Sequence, residues 1–141
     1  MKLDPASPEL QTLLEAASAA TITLYREDGE AITSPVWFRV DGGSIEMVVA
    51  ATDRKLAHLR RDPRCILLVF EAVPPFRGLE IHGRVRIEPD EGSTSRFAIA
   101  SRYLGGEGGR AYADLARRAP GFRIRLLLSD ARAWDLADKI S

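Results

Sequence analysis

The sequence predicts a mainly β, α+β fold in which a six-stranded antiparallel barrel carries peripheral helices. Six segments show the alternating or continuously apolar patterns typical of strands, and short turns join the first three. Further segments early, midway and late in the chain show helical spacing and capping residues. Because the strands are apolar on both faces, we expect barrel closure or a partner subunit to cover them.

A first helix is predicted to begin at Ser7 and to end near Ala19. Ser7 precedes Pro8, and an acidic residue follows, which together are typical of a helix start. Four apolar residues then mark one face of this helix: Leu10, Leu13, Leu14 and Ala17. At 141 residues the chain is expected to be a single domain, with this helix in 1–20 and the barrel in 21–141.

Three consecutive strands are predicted to form an antiparallel meander. Residues 21–26 alternate as the first strand, and residues 31–40 return as the second after a tight turn. Within the second strand Pro35 cannot donate a ladder hydrogen bond, so it is expected at a sheet edge or beside a ligand. At least one of the two aromatic residues that follow, Trp37 and Phe38, is expected in the core.

The central stretch 44–64 is predicted to form the third strand, a short polar loop and a basic helix. Thr52 and Asp53 offer side-chain oxygens that can cap the helix start. Pro63 disfavours helical conformation at Asp62, which sets the helix end. Two leucines supply the inward stripe of this helix: Leu56 and Leu59.

The start of this basic helix is the best candidate binding site in the sequence. Backbone N–H groups at a helix start have no partner within the helix, and here Arg54 and Lys55 lie beside them. The first turn is therefore expected to bind an anion such as a phosphate. The alternative is that these cations form only a solvated face.

The charge distribution favours a small anionic ligand over a nucleic acid. Twenty basic and twenty acidic residues give a formal net charge of zero, which disfavours a general RNA- or DNA-binding barrel. The charge is nevertheless uneven, because residues 53–64 contain five basic and two acidic side chains. The first thirty residues contain two basic and six acidic ones.

The second half of the chain is predicted to add three strands and two helices. The predicted segments are strands at 65–73, 79–89 and 122–129, helices at 93–104 and 111–118, a rigid excursion at 74–78, and a flexible glycine loop at 105–109. The isolated Gly83 is expected to mark a bulge or a close backbone approach. The tail 131–137 has no assigned state.

Residues that carry chemistry are few. The single Cys65 lies in an apolar segment, so a buried thiol in a reducing cytoplasm is expected. His58 and His82 have no acidic or cysteine ligands at metal spacing, and no metal site is predicted. Asp90 and Glu91 are expected in a solvated turn. The sequence also shows neither a signal peptide nor a membrane-spanning run, so the protein is expected to be soluble and not secreted. Because reactive side chains are few, an enzymatic reaction would depend on a bound cofactor.

Four motifs resemble one known superfamily. SPVWFRV, the strand leading into TDRKLAHLRRDPR, then LEIHGRVRIEPD and SRYLGG resemble the pyridoxamine 5'-phosphate oxidase-like split-barrel flavin proteins, in their short F420-dependent branch. The resemblance covers roughly 21–140. It implies a six-stranded antiparallel split β-barrel of the FMN-binding type, which forms a homodimer with two cofactor sites at its interface.

The resemblance also implies roles for particular residues. Those implied to contact the cofactor are Ser34, Pro35, Val36 and Trp37 beside the ring, Thr52, Arg54 and Lys55 at the phosphate, and Phe76 and Arg77 from the partner subunit. Arg132 and Trp134 are further candidates from the partner. The implied function is an oxidoreductase that uses coenzyme F420, or alternatively FMN, to transfer hydride to or from a small organic substrate. The alternative is a non-enzymatic flavin or deazaflavin carrier or sensor.

Overall fold

The computed structural model describes residues 2–3, 7–116 and 119–136. The helices are α1 (Pro8–Glu15), α2 (Arg54–Arg61) and α3 (Thr94–Ala116). The strands are β1 (Lys2–Leu3), β2 (Ala19–Tyr25), β3 (Ala31–Pro35), β4 (Arg39–Asp41), β5 (Ser44–Ala50), β6 (Arg64–Phe70), β7 (Gly78–Arg84), β8 (Arg86–Pro89), β9 (Gly121–Leu127) and β10 (Ala131–Trp134). Short 3₁₀ turns occupy Glu91–Ser93 and Leu128–Asp130.

The described strands form two antiparallel sheets. One has six strands in the order β1-β10-β7-β6-β2-β3, and the other has four in the order β4-β5-β9-β8. Buried side chains from both sheets and from α1 and α2 form one hydrophobic core. The prediction of a mainly β, α+β fold with antiparallel strands and a few helices is confirmed.

The second predicted strand breaks into two, so the predicted three-stranded meander is wrong. β3 pairs with β2, whereas β4 pairs with β5 in the other sheet. The break follows Pro35, which has no N–H, and the Val36 N–H turns to the Ala20 carbonyl at 3.0 Å. Phe38 then enters the core with 0% exposure, while Trp37 keeps 37%. The chain thus crosses between sheets at the segment that the sequence assigned to a ligand.

The predicted strand 79–89 also breaks, at Val85 rather than at the glycine. The Val85 N–H leaves the sheet and donates to the Pro63 carbonyl at 2.9 Å. Gly83 stays paired with Cys65 inside the six-stranded sheet. A Cβ atom at Gly83 would lie 3.0 Å from a methyl carbon of Leu126, which agrees with the predicted close approach. The unassigned tail supplies β10, and residue 137 lies outside the described residues.

Helix α1 is shorter than predicted. It ends at Glu15, and Ala19 already belongs to β2, where it pairs with Phe70 of β6. Ala17, expected on the inward face, is therefore exposed beyond the helix. The inward stripe that remains is buried as expected: Leu10, Leu13 and Leu14.

The glycine-rich segment is helical, so the predicted flexible loop is wrong. Only Gly105 departs from helical geometry, with a φ of 78°, and α3 continues on either side of it. A Cβ atom at Gly109 would lie 2.8 Å from the Cα of Ser101, so the two halves of α3 pack closely there. Glycine in this segment serves backbone packing rather than flexibility. The predicted end at 118 lies outside the described residues.

None of the helices in the described part of the chain combines the length and the apolar character that a membrane crossing requires.

Candidate functional site

A cavity of about 340 Å³ lies where β5, α2, α3 and the break between β3 and β4 meet. Its apolar lining includes Ile22, Val36, Met47, Val49, Ile99 and Ile124. Its polar and aromatic lining is Trp37, Asp53, Lys55, Arg96 and Tyr112. An apolar cavity of this size with a few converging polar groups is typical of small-molecule sites.

The α2 side of the cavity is built as the sequence predicts. The Asp53 carboxylate caps the helix by accepting from the Lys55 N–H at 2.9 Å, and α2 ends before Asp62 and Pro63. Leu56 and Leu59, the two leucines of the predicted inward stripe, are both buried. This local construction fixes Lys55 at the cavity.

The predicted anion site at the helix start is partly filled by the protein itself. Asp53 accepts from the Lys55 N–H and also lies 3.3 Å from the Lys55 Nζ. One donor of the first turn is therefore used, and the Lys55 charge has a carboxylate partner. Any phosphate bound here must rely on side-chain cations and must tolerate the negative charge of Asp53. Arg54 is exposed, as is Thr52.

A cluster of three aromatic side chains borders the cavity beside the break between β3 and β4. The Trp37 ring stacks on Tyr103 with centroids 5.1 Å apart and planes at 9°, and it meets Tyr112 at 5.3 Å. The Tyr103 hydroxyl donates to the Ser18 carbonyl at 3.2 Å and accepts from the Phe38 N–H. Burial raises the pKa of Tyr103, against the opposing influence of the Phe38 N–H and the nearby Arg102 charge. Tyr103 thus anchors the ring of Trp37 at the cavity wall.

The α3 side of the cavity contributes a buried arginine. Arg96 is 6% exposed, and one of its terminal nitrogens donates to the carbonyls of Ala116 at 2.8 Å and Ala119 at 3.0 Å. The start of α3 is capped by Asp90, whose carboxylate accepts from the N–H groups of Ser95 and Arg96. Asp90 is 8% exposed, so the expectation that it lies in a solvated turn is wrong.

The structure brings together four of the nine residues implied at the cofactor. Pro35, Val36 and Trp37 line the cavity with Lys55, although they come from separate segments. The other implied residues do not line it: Ser34, Thr52, Arg54, Phe76 and Arg77. Ser34 pairs with the cavity residue Ile22 in the β2–β3 ladder.

The excursion before β7 lies away from the cavity of its own chain. The Arg77 guanidinium meets Glu71 at 2.5 Å and donates to the Glu9 carbonyl at 2.8 Å. The hydrogen bond from Arg77 holds the pKa of the Glu71 carboxyl below its usual range. Phe76 is half-buried, and its N–H closes a turn with the Val73 carbonyl. Arg132 lies over the Trp134 ring at 5.1 Å on β10.

Two buried groups bear on the predicted chemistry. Cys65 is 2% exposed and burial raises its pKa to about 12, which confirms the expected inert thiol. Glu46 on β5 is 0% exposed and was not predicted as a site of any kind. Its carboxylate meets Arg39 at 2.8 Å and Arg125 at 2.7 Å. Burial opposes the charged form, but hydrogen bonds from Ser95 and both arginines outweigh it and lower the pKa of Glu46.

Sequence reasoning missed Arg96 and Tyr112 at the cavity. Both lie on α3, and the glycine run between them was interpreted as a loop that separates two helices. The structure does break the helix, but at Gly105 alone, and the second half of α3 begins directly after it and packs back against the first half. No local sequence signal directs Arg96 and Tyr112 toward the cavity, because the return of the chain at Gly105 brings together residues that are distant in sequence.

The fold and cavity define a small, mainly β protein with a ligand-sized site next to a basic helix. The chain belongs to the pyridoxamine 5'-phosphate oxidase family, whose PNPOx_N model matches residues 6–129. No protein of curated function matches this sequence.

Several solved structures share the fold. A conserved hypothetical protein from Mycobacterium tuberculosis is 22% identical, with a TM-score of 0.76 over 93% of this chain and 85% of that one. A structure described as an F420 reductase is 24% identical, with a TM-score of 0.67 over 83% and 90% of the two chains. An FAD-binding protein from Mesorhizobium loti is 18% identical, with a TM-score of 0.66 over 94% and 93%.

Proposed function

We propose that this protein binds a flavin-type cofactor in the 340 Å³ cavity and transfers hydride between that cofactor and a small organic substrate. One observation carries the proposal. The segment Pro35–Trp37 and Lys55 of α2, which the family resemblance assigns to one cofactor, line the same cavity. Membership of the family and the fold shared with flavin and deazaflavin proteins support it.

The residues of the cavity fit such a cofactor. Its apolar lining suits a flat ring system, and its volume lies within the range of small-molecule sites. Lys55, with Arg54 and Thr52 beside it, would hold the phosphate. Trp37 and its neighbours in β3 would lie along the ring. When bound, the cofactor supplies the hydride chemistry.

The chain's own residues then orient and shield the reacting centre. Trp37 is held in place by stacking on Tyr103, which limits its motion at the cavity wall. The apolar side chains of β5 exclude water from the interior face of the cavity. Both effects favour productive orientation of a substrate over a ring.

We favour coenzyme F420 over FMN on the family resemblance. The fold shared with a structure described as an F420 reductase supports this choice, while the fold shared with an FAD-binding protein supports the wider flavin class. Titrating the purified protein with F420 and with FMN, while following absorbance and fluorescence, tests the proposal. Tight binding of either supports it, and binding of neither contradicts it.

We also propose that the active form is a cytoplasmic homodimer of single-domain split barrels. In this arrangement Phe76 and Arg77 approach the cofactor of the partner subunit. The exposed aromatic side chains that line the cavity, Trp37 and Tyr112, support a covered face. Light scattering should give twice the 15.5 kDa chain mass. A monomer at micromolar concentration contradicts the shared site without affecting cofactor binding within one chain.

A non-enzymatic carrier or sensor is the second candidate function. The observation that favours it is the chemistry of the cavity lining in the described residues, which contains no histidine. The only carboxylate there, Asp53, is already paired with Lys55. Once a cofactor is bound, turnover with a quinone and with an enone separates the two functions. Reduction of either substrate supports the enzyme, and cofactor binding without turnover of these or of related acceptors supports the carrier.

A further inference from the structure

Arg96 is a buried cation at the cavity, and the part of the chain that the structure describes provides no carboxylate partner for it. Among the described residues, no carboxylate lies within ion-pair distance of its guanidinium, and all its side-chain hydrogen bonds come from one terminal nitrogen. The other nitrogens, Nε and Nη2, donate to no group in that part of the chain. Arg96 is nonetheless 6% exposed and lines the cavity.

A buried guanidinium in this state is unusual. Charged side chains are almost never fully buried unless they are paired, because removal from water is costly. The chain follows that rule elsewhere, since Arg39 and Arg125 both meet the carboxylate of Glu46. Among the described residues, the carbonyl groups of Ala116 and Ala119 are the only groups that accept hydrogen bonds from the Arg96 guanidinium. The carboxylate of Asp90 accepts from the backbone N–H of Arg96, but among the described residues no carboxylate forms an ion pair with the guanidinium.

The cavity as a whole carries the same imbalance. Its lining holds two cations, Lys55 and Arg96, and one anion, Asp53. Asp53 lies 3.3 Å from the Lys55 Nζ and so compensates that cation first. The excess positive charge is thus at Arg96, on the α3 side.

The guanidinium is also fixed in position. The two carbonyls hold one of its nitrogens, and a Cβ atom at Gly121 would lie 3.0 Å from Nη2. The absence of a side chain at Gly121 leaves room for the guanidinium beside Val48, itself a cavity residue. A cation held in this way needs little further ordering to bind a ligand.

We propose that Arg96 binds an oxyanion group, a carboxylate or a phosphate, on the ligand that fills the cavity. The planar guanidinium matches such groups and forms strong charge-assisted hydrogen bonds with them. The inference rests on the proposed function insofar as it takes the cavity to be the ligand site. The oxyanion belongs either to the cofactor or to a second ligand bound beside it.

The test uses the full-length protein and four probes: FMN, riboflavin, inorganic phosphate and benzoate. FMN and riboflavin differ by the phosphate alone, and benzoate carries a carboxylate on a flat ring. Arg96→Gln removes the charge but keeps hydrogen-bond donors for the two carbonyls. Arg102→Gln is the matched control, because Arg102 also donates to backbone carbonyls, those of Leu14, Ala16 and Phe38, and does not line this cavity.

We expect Arg96→Gln to weaken binding of at least one oxyanion probe by about tenfold or more, and Arg102→Gln to leave it unchanged. If the preference for FMN over riboflavin is lost, the oxyanion belongs to the cofactor. If that preference persists and benzoate binding falls, it belongs to the second ligand. Benzoate or phosphate binding that depends on Arg96 in a protein that binds no flavin would support the inference and contradict the proposed function.

Wild-type affinity for every probe in Arg96→Gln, equal losses in the two variants, or no probe binding by the wild type would overturn the inference. Arg96→Lys keeps the positive charge but lacks the planar guanidinium group. This variant replaces Arg96→Gln in the test if Arg96→Gln does not fold. It should weaken oxyanion binding by about threefold or more while riboflavin binding stays the same. Unchanged oxyanion binding in Arg96→Lys would then reduce Arg96 to a cap for the end of α3.

Discussion

Helix α2 and the surroundings of Glu46 handle concentrated charge in opposite ways. Lys55 of α2 is partly exposed and meets a local partner, Asp53, two residues away at 3.3 Å. Glu46 is 0% exposed and meets arginines from β4 and β9, the latter 79 residues away in sequence. Charges of the first kind are available to a ligand, whereas the second kind hold the four-stranded sheet together. The comparison predicts binding defects from one region and stability defects from the other.

The largest effect should come from Glu46→Gln. This change removes the buried carboxylate between Arg39 and Arg125 and leaves the more exposed Asp41 as their remaining carboxylate partner. Breaking a buried pair of this kind costs about 3–5 kcal/mol of unfolding free energy. Chemical denaturation measures that loss. Arg54→Ala removes an exposed cation of α2 and should change the free energy of unfolding by about half a kcal/mol or less. Similar losses in the two variants would erase the distinction between the regions.

The pH dependence of stability should report on Glu46 as well. Its pKa is lowered in the folded protein from an ordinary value of 4.5. A lowered carboxyl pKa stabilises the folded state above the unfolded value, and that contribution is lost as the pH falls through the folded value. The stability difference between wild type and Glu46→Gln should therefore be full near pH 7 and shrink below about pH 4.5. A difference that grows on acidification would contradict the assignment.

The next largest effect should be weaker cofactor binding in the double variant Arg54→Ala, Lys55→Ala. If both cations hold the cofactor phosphate, each supplies a charge-assisted contact of about 1.5–3 kcal/mol. Affinity for FMN should then fall by about a hundredfold or more, with little change in stability. Fluorescence titration at two salt concentrations measures it.

Arg60→Ala is the control for diffuse positive field on the same helix. Arg60 is exposed and lies over the Phe122 ring at 4.7 Å. Arg61 is a poorer control, because it donates to the Tyr25 carbonyl at 2.7 Å. An equal, strongly salt-dependent loss in Arg60→Ala would mean that α2 attracts anions only in a general way.

The same comparison explains what could be predicted from sequence. Helix α2 was predicted with its correct cap and end because Asp53, Lys55 and Pro63 act on near neighbours. The segments that form β2 to β9 were found for a similar local reason, since alternation shows in any window of a few residues, whereas β1 and β10 were not predicted. Local signals therefore identified the elements and the Lys55 side of the cavity.

Features set by distant partners were missed. Glu46 looks like an outward-facing residue of a strand until Arg125 is brought opposite it. The break after Pro35 depends on Val36 finding the Ala20 carbonyl, which no local window contains. Arg96 gives no sequence signal, because its carbonyl partners lie 20 and 23 residues away.

The smallest effect should come from Asp53→Asn, which tests whether the local pair on α2 restrains ligand binding. Asparagine also caps helices, so α2 should persist, while the carboxylate opposite the Lys55 Nζ is removed. A partly exposed ion pair is worth about 1 kcal/mol or less, so affinity for FMN should rise by no more than about fivefold. Riboflavin, which lacks the phosphate, serves as the control ligand and should bind equally to both proteins. If FMN binding instead weakens, Asp53 positions Lys55 for the phosphate, and the pair belongs with the structural charges around Glu46 rather than with the free cations of α2.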